Sequence, residues 1–164
     1  MIKKILFGVL LIPEAVSALP YSAEMTLCAH NEIMVASCNL DENKNRTLSF
    51  CSDATQKIMF YRFGTASDIE LEVVFSDKNP VSRWVDIATY TTFLGFRIDK
   101  YTYTLGVPEE RFGAKAFLEI TKNNETIMTR NCLENSFGEK KLTNTSIFEV
   151  DDSKVRNNKF IFPP

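Results

Sequence analysis

Between Asp68 and Ser76 the chain alternates strictly: Ile69, Leu71, Val73 and Phe75 fall on one side of an extended backbone, and Glu70 and Glu72 fall on the other. Period-two alternation of this kind describes a strand with one buried face and is incompatible with a helix, whose apolar positions recur every three to four residues. Seven further runs are rich in Phe, Tyr, Ile, Val and Thr: 33–38, 47–51, 57–63, 93–98, 101–105, 114–120 and 126–132. Turn chemistry separates them, at Asp41 to Asn45, Gly64 to Ser67, Asp77 to Pro80, the pair Asp99-Lys100, and Lys122 to Asn124. About eight strands with short links predict an all-β domain, a single antiparallel sandwich or small barrel. Its expected core includes Ile58, Phe60, Ile69, Leu71, Val73, Phe75, Phe96, Ile98, Leu118 and Ile120. No long helical period occurs, and residues 83–90 read as a helical turn or an irregular edge strand.

The chain has 164 residues, 45% hydrophobic and 24% charged, which suffices to bury a real core and excludes disorder as the main state. A net charge of -2 leaves no electrostatic grip on a nucleic-acid backbone. The first residues follow the order of a secretory leader. Lys3 and Lys4 precede the apolar run from Ile5 to Ile12, and the small residues Ala15, Ser17 and Ala18 follow. Residues 1–18 are therefore expected to be a removable signal peptide, 24–133 the β domain, and 134–164 a polar C-terminal extension whose apolar end, Phe160-Ile161-Phe162-Pro163-Pro164, either docks on the domain or meets a partner. The leader is too short for a membrane anchor. The expected destination is the periplasm or the exterior.

Four cysteines, Cys28, Cys38, Cys51 and Cys132, in an exported chain point to two disulfides. Three connectivities are open. A hairpin centred near Lys44 and Asn45 would set Cys38 opposite Cys51, so Cys38 is expected to pair with Cys51 and Cys28 with Cys132. Cys28 with His30 is the rival metal reading, set aside for want of ligand spacing. No metal or other cofactor is expected.

Cys28, Ser37-Cys38-Asn39-Leu40, Leu48-Ser49-Phe50-Cys51-Ser52, Tyr61-Arg62-Phe63-Gly64 and Ile69-Glu70-Leu71-Glu72 together resemble a group of small exported bacterial all-β proteins without an assigned activity. A later hairpin over 96–103 and the last cysteine, Cys132, are similar as well. The resemblance implies a periplasmic all-β domain and transfers no active site. Asp99-Lys100 stands where that group more usually has a glycine-containing turn.

Catalytic chemistry has little to work with. The sole histidine, His30, has no nucleophile motif around it, and Glu70 and Glu72 read as charges on a solvent face. Three N-x-S/T sequons, at Asn45, Asn124 and Asn144, are read as unglycosylated because the leader looks bacterial. Surface recognition remains. Glu109, Glu110, Arg111 and Phe112 sit in a loop flanked by Gly106 and Gly113, and Arg83 and Trp84 follow Pro80 in another irregular segment; these six are the candidate partner-binding residues. The expectation is a non-enzymatic periplasmic binding protein, an inhibitor or immunity protein that occludes a toxin or cell-wall-degrading enzyme. The alternative is a structural or envelope-maintenance accessory.

Overall fold

The computed structural model describes residues 26–109, 112–133, 137–139 and 141–164. The expected leader lies outside the described residues. Eleven strands and one short helix are present among the described residues: β1 Ile33–Asn39, β2 Thr47–Ser52, β3 Met59–Thr65, β4 Asp68–Phe75, β5 Val81–Val85, β6 Thr92–Ile98, β7 Tyr101–Val107, β8 Phe117–Lys122, β9 Glu125–Asn131, β10 Phe137–Gly138, β11 Ile147–Val150 and α1 Asp152–Asn157. They form two open sheets, ordered β10-β1-β2-β3-β4 and β11-β5-β6-β7-β8-β9. The chain is nearly all β, and a closed barrel is excluded because the sheets are open.

All eight expected runs are strands. The additional ones are β5, β10 and β11, of which the last coincides with a short strand expected near 146–150. β5 escapes a period-two reading because Arg83 sits on the same side as Val81, and its cross-strand partner is the core residue Leu94. It is not an edge strand either: β11 pairs with it in parallel, while every other pairing is antiparallel.

One aromatic core joins the sheets. The ring of Phe96 in the second sheet lies 4.8 Å from that of Tyr61 and 5.1 Å from that of Phe75 in the first, with Phe50, Leu48, Leu94, Leu105 and Leu118 buried around them. The phase of β3 is opposite to that expected. Met59, Tyr61 and Phe63 are buried, whereas Ile58 and Phe60 are only partly so. Both faces of β3 are apolar enough to enter a core, and Arg62 decides between them: its charge must face out, and Phe60 goes with it, lying 4.8 Å beneath the guanidinium. Ile69 is exposed, beyond a bulge where Gly64 pairs with it. Gly64 has φ 142°, and a Cβ there would collide with the carbonyl oxygen of Asp68, so only glycine fits the bend.

The disulfides pair Cys28 with Cys51 and Cys38 with Cys132, which overturns the expected connectivity. The reason is register. The β1–β2 loop closes between Asn39 and Thr47, placing its midpoint at Asn43 rather than between Lys44 and Asn45. Cys38 therefore faces Leu48, and Cys51 faces Met34. Cys38 belongs to the core and meets Cys132 where Leu40 bridges to the end of β9. Cys51 follows the core residue Phe50 and points to the other side of its sheet. There Cys28 bonds to it, and the Oγ of Ser49 accepts the amide of Leu27 at 3.0 Å.

The segment after Cys132 adds an edge strand to each sheet, β10 beside β1 and β11 beside β5. Beyond β11 the chain builds a second small core on the outer side of the six-stranded sheet from Trp84, Val150, Val155 and Phe162. Trp84 stacks on Phe93 at 4.5 Å, and Phe162 lies over Gly95, where a Cβ would come within 2.7 Å of its ring.

Candidate functional site

The antiparallel register brings two loops to one end of the six-stranded sheet. Val85 pairs with Thr92, Thr92 with Val107, and Gly106 with Phe117, so the β5–β6 loop (86–91) and the β7–β8 loop (108–116) leave the sheet on the same side. Asp86 shapes the first loop. Its carboxylate accepts the Ala88 amide at 3.0 Å and the Thr89 hydroxyl at 2.9 Å, and its carbonyl accepts the Tyr90 amide at 2.7 Å. Tyr90 is held at φ 55°, a conformation that costs a bulky side chain about 1–3 kcal/mol.

Arg156 from α1 joins this loop to the C-terminal segment. It pairs with Asp86, and with Asp152 at 2.6 Å, and its guanidinium lies 5.4 Å from the ring of Phe160. Asp152 also accepts the indole N–H of Trp84 at 2.9 Å. These donors, Arg156 first, hold the Asp152 carboxyl below its usual range. The loop and the segment are thus fixed to each other by charge-assisted hydrogen bonds.

Large apolar groups are exposed at this end. Ile87, Tyr90 and Phe160 are each more than half exposed, and Phe112, in the β7–β8 loop, is fully exposed. Gly113 follows Phe112 at φ 80°, with open space around it. A soluble monomer scatters single apolar side chains over its surface. Here four come from three segments converging on one end of one sheet.

The six expected contact residues fare differently. Phe112 is presented to solvent and Glu109 is partly buried, while Glu110 and Arg111 lie outside the described residues. Arg83 and Trp84 are 8% and 5% exposed, and their polar atoms are engaged within the chain. Arg83 pairs with Glu149 and donates to the carbonyl of Leu142 at 2.7 Å. Both are thus buried within the chain rather than presented to solvent. Ile87 and Tyr90 were not among the expected residues, and Phe160 stood out only as part of the apolar chain end that either docks on the domain or meets a partner. Tyr90 ends a segment whose irregularity was visible, but the pairing of Arg156 with Asp86 that brings Phe160 alongside joins residues 70 positions apart.

Glu70 and Glu72 are ion-paired with Arg46 and Arg62 at 3.1 and 2.6 Å. Cys28, Glu32 and Cys51 form a cluster of metal-ligand type, but the two sulfurs bond to each other. Both oxygens of Glu32 receive Arg62, and one also takes the Ala29 amide, so its carboxyl is held below its usual range by the Arg62 hydrogen bond first. A pocket of about 380 Å³ lies between Thr55, Gln56, Lys57, Thr143, Asn144 and Thr145. The Asn144 amide there is already engaged, with Ser52 and with the Ser146 amide. Among the described residues no helix is long and apolar enough to cross a membrane.

Comparison with protein-family models, with curated proteins and with solved structures finds no match to this chain.

Proposed function

We propose that this chain is a protein-binding domain of the bacterial cell envelope, exported by its leader to the periplasm, that acts as an inhibitor or immunity protein by blocking a toxin or a cell-wall-degrading enzyme. Two disulfides with no free cysteine among the described residues fit an oxidising compartment. The two sheets act as one sandwich, a rigid support for the loops at its end. The observation that carries the reading is Phe112, a full aromatic side chain left in water at a loop tip. Burying such a ring contributes on the order of 2–3 kcal/mol, and aromatic anchors of this kind dominate interface energetics when they enter a pocket. Ile87, Tyr90 and Phe160 form the apolar surround, and the mechanism is steric occlusion.

The test uses the mature, oxidised chain and its Phe112→Ala variant as parallel baits against envelope extract. A protein held by the first and lost by the second supports the reading, and its activity is then assayed with the bait added. Equal retention by both baits removes the loop from the contact, and undiminished activity of the captured protein removes the inhibitor role.

A further inference from the structure

Each open sheet has two edges, and the four edge strands are not equivalent. β10 has two residues and β11 four. β9 is interrupted by a bulge opposite Ile120 and Thr121. Short length and bulging are the usual ways in which a sheet edge is made unreceptive to another strand. β4 carries a bulge as well, at Glu70 opposite Phe63 and Gly64, but the bulge lies near its start and leaves the rest of the strand regular. It runs for eight residues and pairs regularly with β3 from Leu71 to Phe75. It contains no proline or lysine, and its core-facing positions Leu71, Val73 and Phe75 carry no charge. Leu71 and Val73 are only partly buried, so the core margin along this edge is incompletely covered.

The outer face of the same edge has a definite charge. Arg46 is shared by Glu42 and Glu70, and Arg62 by Glu32 and Glu72. Four carboxylates thus share two guanidiniums, and the two nearest the edge, Glu70 and Glu72, have side chains 38% and 49% exposed. Antiparallel self-pairing of two copies of β4 about Glu72 would set the two Glu72 side chains opposite each other, and pairing about Leu71 would set Glu70 opposite Glu72. Like charges placed directly opposite destabilise a strand pair.

We infer that the edge of β4, unpaired among the described residues, accepts an extended segment of another protein as an added strand, and that this segment alternates basic residues, opposite Glu70 and Glu72, with apolar residues that cover Leu71 and Val73. Backbone hydrogen bonds supply the affinity and the alternating side chains the selectivity. This surface does not involve the Phe112 loop and stands or falls separately from it.

The probe is a blocked ten-residue peptide alternating lysine and valine, with a glutamate-valine peptide as control, added to the oxidised full chain. Binding is followed by fluorescence anisotropy and located by amide hydrogen exchange. The expected result is saturable binding of the lysine peptide with slowed exchange over residues 69–75 and none over 125–131. The charge reversal Glu70→Lys with Glu72→Lys, both exposed, should weaken it about tenfold while circular dichroism stays unchanged. Failure of the lysine peptide to bind, equal binding of the glutamate peptide, protection at β9 instead, or insensitivity to the charge reversal overturns the proposal. So does self-association through β4 in sedimentation.

Discussion

Cys38 is bonded to Cys132 across 94 residues of chain, and the bond ties the end of β1 to the end of β9, one strand from each sheet. Cys28–Cys51 spans 23 residues and fastens the N-terminal segment to the outer side of β2. In the chain-entropy view the longer closure stabilises by about 4.7 kcal/mol and the shorter by about 3.4 kcal/mol. Replacing Cys38 and Cys132 with Ser should therefore lower stability by roughly 1 kcal/mol more than replacing Cys28 and Cys51. Urea unfolding of the two double variants measures the difference, and non-reducing peptide mapping checks the pairing itself.

Gly95 is expected to resist substitution for a reason that lies at the far end of the chain. A methyl group there meets the ring of Phe162 at 2.7 Å. Gly95→Ala should push Phe162 off the sheet at a cost of about 1–3 kcal/mol. Trp84, 5.7 Å from Phe162, reports it: its emission should shift to the red and the Tm should fall. An unchanged spectrum would mean that the C-terminal segment is not seated on Gly95.

Phe112→Ala should leave stability within about 0.5 kcal/mol of the parent, because an exposed side chain makes no folded-state packing to lose. Partner affinity should fall by about 2 kcal/mol, roughly thirtyfold in Kd. Thermal unfolding and titration of the captured partner separate the two effects. Loss of stability without loss of affinity would place Phe112 in the fold rather than in the contact.

Acid should weaken the fold through Glu32 and Glu42, whose carboxyls are held below their ordinary value of 4.5 by hydrogen bonds from Arg62 and Arg46. A carboxylate with a lowered folded pKa binds fewer protons in the folded than in the unfolded state, so its contribution is complete above about pH 4.5 and is lost as pH falls through the folded value. Glu32→Gln should cost about 2 kcal/mol at pH 7 and flatten the decline below pH 4.5. Denaturant midpoints at pH 7, 4.5 and 3 test this, and a variant with the parent's acid slope would exclude the Glu32–Arg62 pair as a source of the decline.

The strands were legible because their signals are local. The Ile69–Phe75 alternation, the Asp99-Lys100 turn and the aromatic runs from Phe93 to Tyr103 each act within a few residues, and each marks a strand or a hairpin. The candidate site was legible at Phe112 and, in part, in the apolar chain end that begins at Phe160. Burial of Arg83 depends on Glu149 and Leu142, and that of Trp84 on Asp152 and Phe162, all some 60 or more positions away.

Sequence by itself determined that this chain forms β structure, since the spacing of apolar and turn residues is a property of neighbours along the backbone. Tertiary structure alone decided which cysteines meet, which face of β3 turns inward, and which apolar residues are left in water. A one-and-a-half-residue displacement of the β1–β2 loop midpoint changes both disulfides. The charge of Arg62 outweighs the apolar pull of Phe60, and Phe162 is buried only because Gly95 leaves room for its ring. These outcomes depend on register and on contacts between distant segments, which a linear pattern does not encode.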